Sequence, residues 1–173
     1  MDESGIVAKL REHFGDSIVS TSSHRGQHAV TIRPASLVAV AELLRDDPEL
    51  GFDMLMDIGG VDLLELPERR GHRFEVAYQF YSIDKNHRIR VKVACDEGDA
   101  LPSLWEHWGV ANWMEREVFD LFGLRFTGHP NLRRILCHED FEGHALRKDY
   151  PINKRQQLSR PVENLLTDDP SWA

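Results

Sequence analysis

The sequence predicts an α+β domain: a mostly antiparallel sheet backed by helices on one face, followed by an extended, irregular C-terminal docking arm. Three observations carry this. Residues 73–82 and 87–95 alternate apolar and polar side chains with a period of two, the mark of half-buried strands. Residues 6–14, 37–45 and 112–122 instead carry apolar side chains at helical spacing. Beyond residue 126 neither period persists, and Gly128, Pro130, Gly143 and Pro151 punctuate the chain. The expected division is therefore an α+β body over 1–126 and an arm and tail over 127–173.

Taken in order, Ile6, Leu10 and Phe14 form one helical stripe that Gly15 ends. Residues 27–33 alternate, with Val30 and Ile32 on one face, and stop at Pro34. Ser36 is the expected cap of a second helix that carries Leu37, Val40, Leu43 and Leu44, with Pro48 beyond it. Residues 52–64 read as a strand interrupted by a turn at Gly59-Gly60. In the next pair, Phe74, Val76, Tyr78 and Phe80 face one way, as do Ile89, Val91 and Val93. The polar link Ile83-Asp84-Lys85-Asn86 between them has hairpin composition. Asn112 and Glu115 read as a capping box for the third helix, whose stripe is Met114, Val118, Leu121 and Phe122. Gly123 offers the left-handed position that ends a helix, and Leu124-Arg125-Phe126 a last short strand.

Charge is unevenly placed. The chain carries −8 overall, yet residues 1–123 hold 13 positive and 22 negative side chains whereas residues 124–160 hold 8 and 4. An acidic body argues against nucleic acid as a partner, because such binders are usually basic overall. A basic arm on an acidic body fits docking onto an acidic protein surface. No run approaches the roughly 20 apolar residues of a membrane span, and the first residues show neither a signal nor a transit pattern.

Several residue sets invite catalytic readings. Two cysteines, Cys95 and Cys137, cannot furnish a four-cysteine cluster site. Reduced thiols are expected, with Cys95 a small hydrophobe at a strand end. His129, His138 and His144 stand among Glu139, Asp140 and Glu142, but no His-Glu-x-x-His occurs, and Gly128-His129-Pro130 reads as a turn. Glu115, Glu117 and Asp120 could form an acid-base set. However, helical residues two apart point away from each other, so capping and ion pairing with Arg116 or a neighbouring chain is the better account. No nucleophilic triad or phosphate loop is present, and no catalytic, cofactor-binding or metal-ligating residue is assigned.

One stretch is far more specific. Glu115-Arg116-Glu117, Asp120-Leu121-Phe122-Gly123, Gly128-His129-Pro130, Leu132-Arg133-Arg134-Ile135-Leu136 and Gly143-His144-x-Leu146-Arg147-Lys148-Asp149-Tyr150-Pro151 resemble the signature of one family of respiratory complex I, the NADH-quinone oxidoreductase. That family is its thirty-kilodalton subunit, also called the C subunit. Asp46-Asp47-Pro48-Glu49-Leu50, Asp62, Phe74-Glu75-Val76, Tyr81-Ser82 and Asn86-His87-Arg88 extend the resemblance upstream. Departures are small: Phe141 stands where the family usually has Trp, and Ala145 where it usually has Pro.

The resemblance implies a non-catalytic core subunit supporting the quinone-reducing module of the peripheral arm. It would be peripheral on the cytoplasmic face of the cell membrane, reaching it only through the complex. Expected partners are the hydrogenase-like D subunit, then the B and I subunits. NADH, FMN, iron-sulfur clusters and a quinone would be handled by other subunits, with no cofactor on this chain. An equivalent subunit of a complex I-like membrane-bound hydrogenase or other dehydrogenase is the alternative, and a stand-alone metal-dependent enzyme a distant one.

Residues 127–160 are expected to be ordered mainly by a partner. Leu132, Ile135, Leu136, Phe141 and Tyr150 would be anchors, with Arg133, Arg134, Arg147 and Lys148 setting register. Glu115, Arg116, Glu117, Asp120, His129, Pro130, His144, Leu146 and Asp149 complete the expected subunit interface.

Overall fold

The alternation in the central hairpin sets the sheet. In the computed structural model, which describes residues 3–66, 71–154 and 156, β4 (Phe74–Ser82) and β5 (His87–Cys95) pair antiparallel. Phe74 stands opposite Cys95, Val76 opposite Val93, Tyr78 opposite Val91 and Phe80 opposite Ile89, all buried. The turn between them places Asn86 at φ 50°, a left-handed conformation that asparagine tolerates better than most residues.

Around this hairpin, β1 (Ile18–His24), β2 (Gln27–Ile32) and β3 (Met54–Asp62) complete a five-stranded sheet of order β1-β2-β5-β4-β3. All its pairings are antiparallel except β2 with β5. Two short strands, β6 (Ala100–Pro102) and β7 (Arg125–Thr127), pair parallel apart from it. Among the described residues three helices cover the apolar face: α1 (Glu3–Phe14), α2 (Leu37–Asp46) and α3 (Ala111–Phe122). Ile6 and Leu10, Val40 and Leu44, and Val118 and Phe122 join Val76, Tyr78 and Val91 in one core cluster. The α+β class and the helix-backed, mostly antiparallel sheet are thus as expected.

Local differences have physical reasons. β1 escapes the sequence pattern because it is an edge strand of mostly polar residues, its burial irregular and fading towards His24. Gly59-Gly60 is not a turn but lies inside β3, opposite Ala77 and Val76. Gly60 is there for closeness: a Cβ at this position would lie 2.6 Å from the Phe122 ring. The strand must come this near for α3 to seat on it.

The expected caps are also different. A 3-10 turn, Pro34–Ser36, leads into α2, and Ser36 makes no side-chain capping bond. Helix α3 begins at Ala111 after Val110, so Asn112 is inside it and caps nothing. The tight turn before it supplies the entry, with Trp108 N–H donating to Leu104 O at 2.9 Å and Ala111 N–H to Trp108 O at 2.9 Å.

Removing the Phe122 ring by Phe122→Ala should cost about 3–5 kcal/mol in chemical denaturation. Gly60→Ala should overpack the same contact and cost about 1–3 kcal/mol. Gly59→Ala is the comparison, because its Cβ would meet only the Asp57 carboxylate, at 3.7 Å. It should shift stability by less than about 0.5 kcal/mol.

Candidate functional site: the junction of helix α3 and the arm

Helix α3 buries three ionisable residues, Glu115, Arg116 and Asp120, beside its apolar stripe. Buried charges need partners, and each finds them within the chain. Glu115 does not reach back to its own helix start. Its Oε1 accepts from Leu104 N–H at 2.7 Å, and Oε2 accepts from the Ser103 hydroxyl, so it ties the loop after β6 to α3. Burial raises its pKa to about 7, against the pull of these two hydrogen bonds.

One turn further on, Asp120 organises the arm. Its Oδ2 accepts the successive backbone N–H groups of Ile135, Leu136 and Cys137 at 3.0, 2.8 and 2.8 Å. Oδ1 accepts Arg134 Nη1 at 2.7 Å. Burial opposes ionisation here, but the three backbone donors and the guanidinium outweigh it, and the pKa falls to about 2. Arg134 in turn donates to Phe141 O at 2.8 Å and Gly143 O at 2.9 Å. Arg116 donates to Arg133 O and Arg134 O at 3.1 and 3.0 Å. The helix thus presents a carboxylate and a guanidinium that between them fasten 133–137.

The second half of the arm closes on the helix C-terminus. Gly123 ends α3 at φ 77°, its N–H bonded to Phe119 O at 2.8 Å. A side chain there would collide with His144 Cδ2 at 2.6 Å and Arg147 Nη2 at 2.7 Å. Glycine is therefore required twice, for backbone sign and for space. His144 Nδ1 donates to Asp120 O at 2.9 Å, Leu146 N–H to Leu121 O at 3.1 Å, and Arg147 Nε to Phe122 O at 2.6 Å. The carbonyls left open at a helix end are satisfied in this way. Burial lowers the His144 pKa, and the nearby Arg147 and Arg134 act in the same direction.

A third group of bonds reaches the sheet. Asp62, at the end of β3, accepts Lys148 N–H at 2.9 Å and Arg73 Nη2 at 3.1 Å. Arg73 also pairs with Asp149 at 2.6 Å, and Arg147 with Glu97 at 2.5 Å. Both guanidiniums approach the Phe74 ring, at 4.8 and 5.3 Å from its centroid. Phe141 stacks on Tyr150 with centroids 5.6 Å apart. His129 donates through Nε2 to Asn112 O and accepts Asn131 N–H at Nδ1, both at 3.0 Å.

The segment after β7 has no regular secondary structure, and through residue 154 it folds back on α3 and the end of the sheet. Arg116, Asp120, Arg134, His144, Arg147 and Asp149 all make contacts inside the chain. The first five satisfy backbone groups at the end of α3 and in the arm that would otherwise lack partners, and Asp149 pairs with the Arg73 guanidinium. The remaining expected residues divide by exposure. Glu117, Pro130, Arg133, Leu136, Leu146 and Lys148 are exposed, His129, Leu132, Ile135, Phe141 and Tyr150 are half-buried, and Glu115 is buried. Residue 155 and residues 157–173 of the expected arm and tail lie outside the described residues.

Four contributors are absent from the expected interface. Trp113 is 60% exposed on α3, with the Arg116 guanidinium 5.2 Å from its ring; an aromatic off the helix's apolar stripe was the signal. Arg73, Glu97 and Asp62 form the sheet side of the clamp, and no local pattern marks them, since their partners lie 50 to 86 residues away.

Opposite pH effects arise from the two carboxylates. Unfolded Asp120 binds its proton more tightly than folded Asp120, so its contribution to stability should vanish as pH falls from about 3.8 to about 2. For Glu115 the folded state holds the proton more tightly, so stability should decline as pH rises from about 4.5 to about 7. Urea titrations across this range should show Glu115→Gln flattening the upper slope. Asp120→Asn should flatten the lower one, cost about 3–5 kcal/mol by leaving Arg134 unpaired, and unprotect the amides of residues 135–137 in hydrogen exchange.

Comparison with known proteins agrees with this architecture. Residues 30–156 match the family described as respiratory-chain NADH dehydrogenase, 30 Kd subunit. The NADH-quinone oxidoreductase C subunit of Roseiflexus castenholzii is 45% identical over 157 residues, covering 90% of this chain and 88% of its own length. The Brucella abortus protein of that name is 46% identical over 143 residues, covering 83% and 69%. Among solved structures, the trypsin-resistant fragment (1–134) of Nqo5 superposes with a TM-score of 0.67 at 31% identity, over 76% of this chain and all of the fragment. One chain of the archaeal membrane-bound sulfane sulfur reductase shares the fold, with a TM-score of 0.68 at 18% identity over 87% of this chain and 86% of its own. With the family match running from β2 through the clamped arm, this chain belongs to the 30 kDa subunit family of the respiratory-chain NADH dehydrogenase, whose bacterial members bear the name of the NADH-quinone oxidoreductase C subunit.

Proposed function

We propose that the chain is a non-catalytic core subunit of a proton-pumping NADH-quinone oxidoreductase, supporting the quinone-reducing module of its peripheral arm. The observation that carries this reading is the family match, which spans body and arm together. The hydrogenase-like D subunit is the main partner, with the B and I subunits beside it. NADH, FMN, iron-sulfur clusters and quinone belong to those and other subunits. The chain sits on the cytoplasmic face of the membrane through the complex; among the described residues no helix is long and apolar enough to cross it. The sulfane sulfur reductase shares only the fold, while the relatives near 45% identity carry the NADH-quinone oxidoreductase name, which favours NADH as donor.

In this reading the clamp presents a docking surface already shaped. Trp113, Leu136 and Leu146 are 60%, 62% and 52% exposed and supply apolar anchors, and Arg133 and Lys148 supply charge. Preorganisation lowers the ordering cost of association, and large exposed apolar side chains are where binding energy concentrates.

Leu136→Asp and Leu146→Asp should leave the thermal midpoint of the isolated protein unchanged and sharply reduce its recovery in the purified complex, each losing about 2 kcal/mol or more of docking energy. Recovery at the wild-type level would rule this surface out. The isolated chain should also show no bound iron, no flavin absorbance and no NADH oxidation. A stoichiometric chromophore would end the non-catalytic reading.

A further inference from the structure

The face of the sheet away from the helices carries a second surface that the function proposed above does not use. A shallow groove crosses it, lined by Ser22, His24, His28, Gln79, Arg88 and Arg90 among others, with Lys92 at its side. It runs over β1, β2, β5 and β4, where Ala29 stands opposite Arg90 and Arg90 opposite Gln79. On a chain of net charge −8 this concentration of cations is a local reversal.

The cations differ in availability. Lys92 is paired with Glu75 at 2.7 Å. Arg90 lies against the Gln79 carboxamide, which accepts from Nε at 2.6 Å when its oxygen faces the guanidinium. Arg88 rests 5.9 Å from the Tyr81 ring centroid. Neither arginine has an ion-pair partner among the described residues. Another carboxylate, Asp57, is on β3, opposite Gln79 and so a further strand away.

We propose that this groove binds an extended acidic segment of another polypeptide, laid along β5 with its carboxylates on Arg88 and Arg90. Spacing supports this occupant. Side chains two apart on a strand repeat at about 6.4–6.8 Å, and alternate carboxylates of an extended peptide repeat at the same distance. Arginine can grip each carboxylate with two parallel bonds. Single-stranded nucleic acid fits less well, because it favours exposed aromatic platforms, and the tyrosine at hand, Tyr81, is covered by Arg88. A membrane surface fits less well too, since the lining offers no large exposed apolar side chain.

The test is an NMR titration of the purified full chain with a short alternating Glu-Thr peptide, and in parallel with its Gln-Thr counterpart. The Glu-Thr peptide should shift amides of residues 22–29 and 88–92, with the effect fading as salt rises. The Gln-Thr peptide should not. Arg88→Gln/Arg90→Gln should weaken binding about tenfold or more with unchanged fold, and Arg88→Glu/Arg90→Glu should abolish it. Shifts confined to residues 127–154, or equal binding by both double variants and the wild type, would overturn the proposal. So would tighter binding of oligothymidylate, or of phosphatidylglycerol vesicles, to the same amides. None of these readouts involves the assembled complex, so a failure of the proposed subunit role leaves this result standing, and the converse holds.

Discussion

The structure beyond the sheet depends on one buried carboxylate. Asp120 has no exposed surface, yet it is ionised, because three consecutive backbone N–H groups and the Arg134 guanidinium converge on it. Such an arrangement is strong only when complete: a buried carboxylate short of donors would take up a proton or expel the segment. Completing it requires residues 134–137 to turn tightly over the helix. That turn brings Arg134 to the Phe141 and Gly143 carbonyls, and so positions the rest of the arm. A segment poor in apolar residues is in this way ordered by polar contacts with its own body.

Glu115 shows how strongly geometry decides the state of a similar group one turn earlier. It too has no exposed surface, but it receives one backbone N–H and one hydroxyl, with no cation. Two neutral donors do not offset its desolvation, so its pKa rises where that of Asp120 falls. The two carboxylates do separate work. Glu115 fixes the entry loop of α3, and Asp120 fixes the chain beyond its exit. A helix of 12 residues thereby becomes the joint between sheet and arm.

Two glycines let that joint close. Gly60 admits the Phe122 ring against β3, and Gly123 admits His144 and Arg147 against the helix end. Both contacts involve elements far apart in sequence. Where the arm meets the sheet, Arg73, Arg147, Asp62, Asp149 and Glu97 form a network in which Asp149 and Glu97 are exposed and Asp62 is buried. The pairs with exposed carboxylates are worth little alone; the buried Asp62 joins them to a backbone donor, Lys148 N–H.

Local periodicity determined what it physically can. The Phe74 to Phe80 and Ile89 to Val93 alternations fixed the central hairpin and its buried face, since strand side chains must alternate. The Ile6–Leu10, Val40–Leu44 and Val118–Phe122 spacings fixed the covering helices, and the motif from Glu115 to Pro151 carried the family. Tertiary structure alone decided the rest. Edge strand β1 has no apolar pattern, because most of its side chains are not buried. Gly59-Gly60 reads as a turn until the Phe122 ring shows why a strand needs them bare. Whether Asp120, Arg134 and Arg147 serve a neighbour or their own chain depends on partners 14 to 50 residues away. No local sequence pattern encodes such a distance; only the folded backbone brings those donors within reach.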